Sequence, residues 1–185
     1  MGKSHICKIL ARRLKIPHID INEIVMNESL TLGYDRKRMC LIADFKRIKK
    51  RILKKIQELN AESIILEGHY SQHIAASEII DKAFVFRCDP RILESRLIKR
   101  GYSKNKVAEN ILAEILGVCF NEAIKVYGFN KIYQINVTNK SQFEVSSKMI
   151  EIIENKILES ESIDWLTKLI EDKNMDFLFN MKINH

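Results

Sequence analysis

The sequence predicts an α/β domain in which helices cover both faces of a parallel sheet. Four short runs rich in Ile, Val, Phe and Tyr alternate with amphipathic helical runs, and they cover residues 18–21, 63–67, 83–87 and 131–137. These runs are continuously apolar, which is typical of strands buried on both faces. Because strands that alternate with helices form right-handed β-α-β crossovers, we expect a three-layer fold. The length of 185 residues fits one such domain.

Each predicted helix has its own start and stop signals. A side chain that accepts hydrogen bonds from the first backbone N–H groups marks a start, and glycine marks an end. A proline at the first helical position and a capping box strengthen two of the starts. The first of these helices follows Asp89 and Pro90 and ends at Gly101, and the second runs from Ser103 to Gly128. The third runs from the capping box of Ser141 and Glu144 to about Leu158. A short fourth helix around Trp165 begins at Ser162 with Asp164.

Composition and cysteine spacing indicate a globular protein of the cytoplasm. Hydrophobic residues make up 46% and charged residues 30%, and no stretch reaches the roughly 18 apolar residues that cross a bilayer. No secretory or transit signal is visible, so we expect a cytoplasmic protein with no membrane partner. The four cysteines are spaced too widely for a C-x-x-C metal site or a small disulfide framework, and we expect reduced thiols: Cys7, Cys40, Cys88 and Cys119.

The net charge of +7 is unevenly distributed along the chain. Residues 36–55 hold ten Lys or Arg and one acid, whereas residues 151–180 hold eight acids and three bases. The basic segment could contact nucleic acid or an anionic substrate. Its apolar stripe favours a solvated helix face for most of the basic side chains, and the residues of that stripe are Phe45, Ile48, Ile52, Ile56 and Leu59.

Gly2, Lys3 and Ser4 open an apolar-periodic helix, as the end of a phosphate-binding loop G-x-x-x-x-G-K-[ST] does. A lysine in this place reaches the β- and γ-phosphates of a nucleotide, and the serine hydroxyl ligates Mg²⁺. The N-terminal amides of the helix also attract anions. Because three residues match by chance in many proteins, an ordinary helix start with a solvated lysine is the alternative.

Three further segments carry chemistry. The strand at 63–67 ends in Glu67 and is followed by Gly68 and His69. An acid at this place could orient a Mg²⁺-bound water at the sheet edge. The alternative is a solvated acid followed by a structural histidine. A cluster of cations between two helices could close over a triphosphate, or could only complement the helix dipole; its members are Arg96, Lys99, Arg100 and Lys104. The turn-like segment with Gly33, Tyr34 and Asp35 could cradle a second nucleotide or be only a loop.

In combination these motifs are more specific than any of them alone. The order GKS, GYD, a strand ending E-G-H, FRCDP, RLIKRGYS and NILAEI resembles the adenylate kinase isoenzyme 6 family, in particular its archaeal members. The resemblance covers residues 2 to about 158 and implies a five-stranded parallel sheet of P-loop type. It implies a monophosphate-binding region at about 20–42 and a lid at about 99–110. We expect residues 159–185 to form a helical extension packed on the same domain.

The resemblance implies roles for particular residues. One departure is Met26, which stands where some members have an arginine, so Arg36 or Arg38 is expected to hold the acceptor phosphate. His5 falls where a second Thr or Ser is common, and Glu67 replaces an acid that is often Asp. The implied roles are catalysis by Lys3, His69 and Arg100; ATP binding by Gly2, Lys3, Ser4, His5, Arg100 and Lys140; monophosphate binding by Gly33, Tyr34, Asp35, Arg36 and Arg38; and Mg²⁺ binding by Ser4 and, through a water, Glu67.

Two functions follow from the resemblance. The first is Mg²⁺-dependent transfer of a phosphoryl group from ATP to AMP, with ATP hydrolysis as a competing activity. The second is assembly of the small ribosomal subunit, in which ATP turnover regulates binding to a ribosomal protein and rRNA. The basic segment at 36–55 would suit a site near rRNA.

The resemblance also raises an expectation about the N-terminus. Family members have a central strand and G-x-P-G-x-G before K-[ST], and the sequence printed here begins at Met1 without them. A missing central strand leaves two neighbouring strands with unpaired backbone groups. We therefore expect Met1 to be an internal or misassigned initiator, preceded by roughly ten residues of strand and turn. An in-frame stop codon just upstream would contradict this, and would leave a truncated form with impaired activity.

Overall fold

The computed structural model describes residues 2–36, 40–173 and 177. Helices and strands alternate along most of this part of the chain. Two short 3-10 helices add to them at Ser77–Ile79 and Phe129–Lys131. In chain order the main elements are α1 (Lys3–Leu14), β1 (His18–Asp20), α2 (Ile21–Asn27), β2 (Thr31–Asp35), β3 (Cys40–Ala43), α3 (Phe45–Leu59), β4 (Ile65–Glu67), α4 (Ser71–Ile74), β5 (Ala83–Arg87), α5 (Pro90–Lys99), α6 (Lys104–Ile115), α7 (Val118–Tyr127), β6 (Ile132–Asn136), α8 (Gln142–Ile153) and α9 (Trp165–Glu171).

The four predicted strands form two parallel ladders. Strand β1 pairs with β4, and Asp20 lies opposite Glu67 in that register. Strand β5 pairs with β6 along its whole length, from Ala83 opposite Ile132 to Arg87 opposite Asn136. Among the described residues, no hydrogen-bonded ladder joins β4 to β5. The parallel pairing confirms the predicted α/β class, and the expected strand before α1 stays a prediction.

Helices lie on both faces of the β5–β6 ladder. Successive side chains of a strand point to opposite faces, so alternate residues of β5 contact different helices. Phe84 and Phe86 pack with the apolar cluster that α1, α5, α6, α8 and α9 share. Ala83 and Val85 pack with the cluster that contains Ala123 and Tyr127 of α7. This alternation explains why the strand is continuously apolar in sequence.

A second core joins the β1–β4 ladder to α2 and α3. Ile48 and Ile52 of α3 are buried there, as the predicted stripe requires. Truncation of such a buried Ile to Ala costs about 2–5 kcal/mol of folding free energy. The prediction was wrong for Phe45, which is 40% exposed. Its ring meets the ring of Tyr70 edge-on instead, at a centroid distance of 5.3 Å.

Three predicted segments differ in the structure. The long helix predicted from Ser103 to Gly128 is divided into α6 and α7 at Gly117, whose φ of 61° is left-handed and favours glycine. Helix α8 begins at the predicted capping box but ends at Ile153 rather than about Leu158. The segment 31–35, predicted as a turn, is strand β2, which forms an antiparallel hairpin with β3.

The segment after α8 packs on the same core. Trp165 and Leu169 of α9 are 3% and 1% exposed. The Trp165 Nε1–H donates to Glu114 Oε1 over 2.8 Å, and Arg87 Nε donates to the same oxygen over 2.7 Å. Residues 174–176 and 178–185 of the predicted extension lie outside the described residues. No helix in the described part of the chain is long and apolar enough to span a bilayer.

Candidate active site

The site begins at the N-terminus of α1. Gly2 occupies the N-cap position in the left-handed region, with a φ of 71°, and it offers no side chain to accept from the helix. The first turn contains no acidic side chain either. Because the first amides of a helix have no partner within the helix, those of α1 can bind an anion.

The side chains that follow Gly2 converge on Glu67 at the carboxyl end of β4. Lys3 Nζ lies 2.9 Å from Glu67 Oε1, and Ser4 Oγ donates to the same oxygen over 2.6 Å. His18 Nε2 lies 2.9 Å from the other carboxylate oxygen. The Glu67 side chain is fully buried, whereas 28% of the Lys3 side chain is exposed. We call Lys3, Ser4, His18 and Glu67 the Glu67 cluster.

Glu67 carries its negative charge at neutral pH. Burial is the largest single influence on its pKa and acts to raise it. The hydrogen bonds from Ser4 and Lys3 and the charge of the Lys3 ammonium together outweigh burial, so the pKa of Glu67 lies below its ordinary value. A buried anion at a strand end, with a partly exposed ammonium beside it, is suited to binding cations and phosphates at this edge of the sheet.

Cys7 lies beside the Glu67 cluster, and the sequence predicts no role for Cys7 or for His18 of the cluster. Burial and then the charge of Glu67 raise the pKa of the Cys7 thiol to about 12. Cys7 follows Lys3 by four positions, so the helical period places both on one face of α1 and could have identified it. His18 opens the neighbouring strand β1, and no local sequence signal connects it to Glu67.

His69 follows the strand end through Gly68. A Cβ atom at Gly68 would lie 2.7 Å from Ile21 Cδ1, so only glycine allows this approach to α2. His69 keeps an exposed surface, and no side chain of the described residues hydrogen-bonds to its ring. Desolvation by the surrounding protein and then the Lys3 ammonium lower the pKa of His69 below its ordinary value. Its imidazole is therefore neutral at pH 7.

An open cleft lies beside the N-terminus of α1, with a volume of about 270 Å³. It brings together the predicted ATP-binding residues Gly2, Arg100 and Lys140, although they are far apart in sequence. We call it the Arg100 cleft. Its described lining residues are Gly2, Ile6, Arg96, Arg100, Val137, Lys140, Gln142 and Val145.

Lys140 is held at the cleft by an acid of the C-terminal segment. Lys140 Nζ lies 3.6 Å from Glu161 Oε1, and Lys148 Nζ donates to the same carboxylate. The backbone N–H of Asn136 donates to Glu161 Oε2 over 3.2 Å. No sequence pattern marks Glu161, because it lies in an irregular segment without periodicity.

The predicted monophosphate-binding residues lie elsewhere. Gly33, Tyr34 and Asp35 are on β2, and Arg36 is exposed in the turn that follows. Arg38 lies outside the described residues. His5, the remaining residue predicted to bind ATP, is exposed on α1. The described lining of the Arg100 cleft includes none of these residues.

The fold and the site define a class of protein. A Gly-Lys-Ser start to a helix, a buried acid at the end of a neighbouring parallel strand and helices on both sheet faces are features of P-loop nucleotide-binding domains. The family model described as "AAA domain" matches residues 1–117. The chain belongs to the adenylate kinase-like family of P-loop domains, as its relatives also indicate.

Those relatives cover almost the whole chain. A protein of Methanocaldococcus jannaschii named "putative adenylate kinase" is 37% identical over 171 residues, which are 92% of this chain and 90% of the relative. Proteins with the same name from Methanococcus maripaludis and Methanosarcina barkeri are 32% and 34% identical. Those two alignments cover 90% and 89% of this chain, and 90% and 92% of the respective relatives.

Proposed function

We propose that this protein is a nucleoside monophosphate kinase of the adenylate kinase isoenzyme 6 type, which converts ATP and AMP to two ADP and hydrolyses ATP as a competing activity. The observation that carries the proposal is the convergence of Lys3 and Ser4 on the buried Glu67 at the N-terminus of α1. The relatives named "putative adenylate kinase" support the same reaction.

In the proposed reaction an α-phosphate oxygen of AMP attacks the γ-phosphorus of ATP. The bond to the β–γ bridging oxygen breaks, and its electron pair leaves with the first ADP. Because this chemistry develops charge on phosphate oxygens, the protein contributes chiefly position and electrostatic stabilisation. Lys3 supplies the charge: its ammonium turns from Glu67 towards the β- and γ-phosphates, which its partial exposure allows.

The donors at the Glu67 cluster fit Mg²⁺. Ser4 Oγ and the Glu67 carboxylate are hard oxygen donors 2.6 Å apart, and Mg²⁺ prefers such ligands while keeping several waters. Ser4 would bind the ion directly and Glu67 would hold it through a water. When bound with ATP, the ion neutralises charge on the β- and γ-phosphates.

The remaining residues position the two nucleotides. Neutral His69, beside the Glu67 cluster, orients the attacking group by accepting or donating a hydrogen bond. Arg100 closes over the triphosphate from the connection between α5 and α6, and Lys140 contacts the base of ATP. The hairpin residues from Gly33 to Arg36 hold AMP.

The test of this proposal is the stoichiometry of the products. The protein is mixed with ATP, AMP and Mg²⁺, and nucleotides and inorganic phosphate are quantified over time. We expect two ADP for each ATP and AMP consumed, with a slower release of phosphate that does not depend on AMP. Phosphate release with no consumption of AMP would reject the kinase reaction, and no ATP consumption at all would reject both activities.

A second candidate function is assembly of the small ribosomal subunit through a ribosomal protein and rRNA. The observation that favours it is the surface of α3, where the side chains of Lys46, Arg47, Lys49 and Lys50 are exposed. Only Ile48 and Ile52 of this helix are fully buried. An exposed row of cations on a helix is the feature that binds nucleic-acid phosphates.

Charge reversal tests the second candidate. The double variant Lys49→Glu with Lys50→Glu should weaken binding to small-subunit rRNA, and the decrease of affinity with salt should become shallower. The matched control reverses the exposed Lys8 and Arg12 on α1, with the same change of net charge. Equal effects of the two double variants would show only a response to net charge, and would reject a site on α3.

A further inference from the structure

Three potential metal ligands, Glu67 among them, meet at the carboxyl end of β4. The ligand atoms of Cys7, His18 and Glu67 all lie within 4.8 Å of one another. They come from α1, β1 and β4, so three elements fix their positions. The proposed kinase mechanism uses Glu67 alone among them, which leaves the thiol and the imidazole without a role.

We propose that Cys7, His18 and Glu67 bind one zinc ion, and that zinc at this site inhibits the protein. Zinc is bound in proteins by Cys sulfur, His nitrogen and carboxylate oxygen at about 2.0–2.3 Å. Ligand atoms that lie 2.9 Å apart, as His18 Nε2 and Glu67 Oε2 do, need only separate slightly to surround such an ion. Three protein ligands leave the fourth tetrahedral position for a water molecule.

The donor set selects against the hard cations. Mg²⁺ and Ca²⁺ prefer oxygen ligands, whereas a thiolate with an imidazole suits zinc. The Mg²⁺ proposed above would be held near Glu67 Oε1, which accepts from Ser4. Zinc would be held near Glu67 Oε2, which lies 2.9 Å from His18 Nε2, and by Cys7, which is 6% exposed.

Charge balance favours the exchange of Lys3 for zinc. At present the Lys3 ammonium neutralises the buried Glu67. When zinc binds, the Cys7 thiol releases its proton to solvent, and Zn²⁺, one thiolate, one carboxylate and a neutral imidazole sum to zero. Lys3 is then no longer needed beside Glu67, and its partly exposed side chain can move into solvent.

Competition for Glu67 explains inhibition, and this part of the inference rests on the proposed kinase function. Zinc on Glu67 would take up the carboxylate that, in the proposed reaction, holds a water ligand of Mg²⁺, and would therefore weaken binding of the Mg²⁺ that accompanies ATP. Zinc binding itself requires no catalytic activity. A binding measurement therefore tests the site even if the proposed reaction is wrong.

The test uses metal-free protein, kept reduced with a reagent that is not a thiol. Titration with Co²⁺ should produce thiolate-to-cobalt charge-transfer absorption that saturates at one ion per chain. Zn²⁺ should displace the Co²⁺ and remove this absorption. Cys7→Ser should abolish this absorption and weaken zinc binding by at least about 100-fold, beyond the effect of losing an outer-shell partner. The matched control, Cys119→Ser, changes an exposed cysteine and should leave both unchanged.

A second variant covers the case in which Cys7→Ser does not fold. His18→Gln should keep the charge-transfer band but weaken zinc binding by at least about tenfold. Zinc should also slow turnover of the wild-type protein and of Cys119→Ser, and inhibition of His18→Gln should require at least about tenfold more zinc. Absence of the cobalt band in the wild-type protein, or its loss in Cys119→Ser rather than Cys7→Ser, would overturn the site. Binding without inhibition would keep the site and overturn its regulatory role.

Discussion

Glu67 and Glu114 are both well-shielded carboxylates that a basic side chain holds, yet their surroundings differ in access to solvent. Glu67 pairs with Lys3, whose side chain is 28% exposed and whose chain neighbour Gly2 lines the Arg100 cleft. Glu114 pairs with Arg87, whose side chain is only 4% exposed. Solvent therefore reaches the first cation but hardly reaches the second.

The two carboxylates also differ in the groups that donate hydrogen bonds to them. Glu114 Oε1 accepts from Arg87, from the indole of Trp165 and from the backbone N–H of Cys88 at 3.1 Å. Arg87 also donates to the Gln134 side chain and to the Glu114 carbonyl oxygen. These contacts join the C-terminal segment to α6 and to the β5–β6 ladder. Similar chemical groups thus form the proposed reactive centre in one place and a structural connection in the other.

The largest expected effect is on the reactive side of the comparison. Lys3→Ala should lower kcat/KM by about 10³- to 10⁵-fold, the range that one cation on a transferring phosphoryl group contributes. This equals about 4–7 kcal/mol of transition-state stabilisation. Steady-state kinetics should show it without loss of folded protein. Lys8→Ala, an exposed lysine of the same helix, is the control, and similar losses in both variants would contradict the role of Lys3.

The next effect is on the structural side. Arg87→Met removes the partner of the Glu114 carboxylate, whose side chain is 10% exposed, and breaking such a well-shielded pair should lower the free energy of unfolding by about 3–5 kcal/mol. Chemical denaturation measures this loss. Arg47→Met, at an exposed arginine, should change stability by less than about 0.5 kcal/mol. An Arg87→Met protein as stable as the control would show that the Glu114 contacts do not stabilise the fold.

A smaller effect is expected at the cleft. Arg100→Ala should lower kcat/KM about 10- to 100-fold, because Arg100 is exposed and contributes to phosphate binding only after it closes over ATP. This loss should appear mostly as an increase in the KM for ATP, with little change in the free energy of unfolding. Arg12→Ala removes an exposed arginine away from the cleft and serves as the reference. A loss confined to the KM for AMP would place Arg100 at the other nucleotide.

The smallest effect concerns Glu161, which connects the C-terminal segment to Lys140 and Lys148. Burial acts to raise the pKa of Glu161, but the hydrogen bond from Lys148 and the charges of both lysines hold that pKa below its ordinary value of 4.5. A lowered pKa stabilises the folded state above the ordinary value, and this stabilisation is lost as the pH falls below it. Glu161→Gln should therefore cost about 1–2 kcal/mol at neutral pH.

Denaturation of the wild-type protein and of Glu161→Gln as a function of pH checks the direction of this pH dependence. The difference between the two should be constant near neutrality and should narrow below about pH 4.5. Glu159→Gln, at an exposed acid in the same segment, should show no such narrowing. A difference that widens in acid would mean that Glu161 is not held as a carboxylate in the folded protein.

The sequence predicts the parallel strands well because burial on both faces leaves a clear apolar run. Strand β5 has the predicted bounds, 83–87. The hairpin of β2 and β3 was missed because it faces solvent: Leu32 is 70% exposed and Tyr34 is 53% exposed. Its residues therefore show neither a buried run nor the alternation of a half-buried strand.

The sequence also identifies the part of the site that depends on strand and helix ends. Lys3 and Ser4 at a helix start and Glu67 at a strand end meet because parallel strands and the following helices place those ends at one sheet edge. His18 and Glu161 reach the site only through tertiary packing, so no local pattern marks them. The division at Gly117 was missed because its left-handed backbone cannot be distinguished in sequence from a tolerated helical glycine.

The most direct test of this account compares Glu67→Gln with Glu114→Gln, each measured for unfolding free energy and for turnover per folded molecule. We predict that Glu67→Gln loses at least about 100-fold in kcat, and that its stability falls less because Lys3 can reach solvent. Glu114→Gln should lose about 3–5 kcal/mol of stability, because Arg87 stays buried without its partner, and should keep its turnover. Retained activity in Glu67→Gln, or an equal loss of turnover in folded Glu114→Gln, would contradict the assignment of the reactive centre to Glu67.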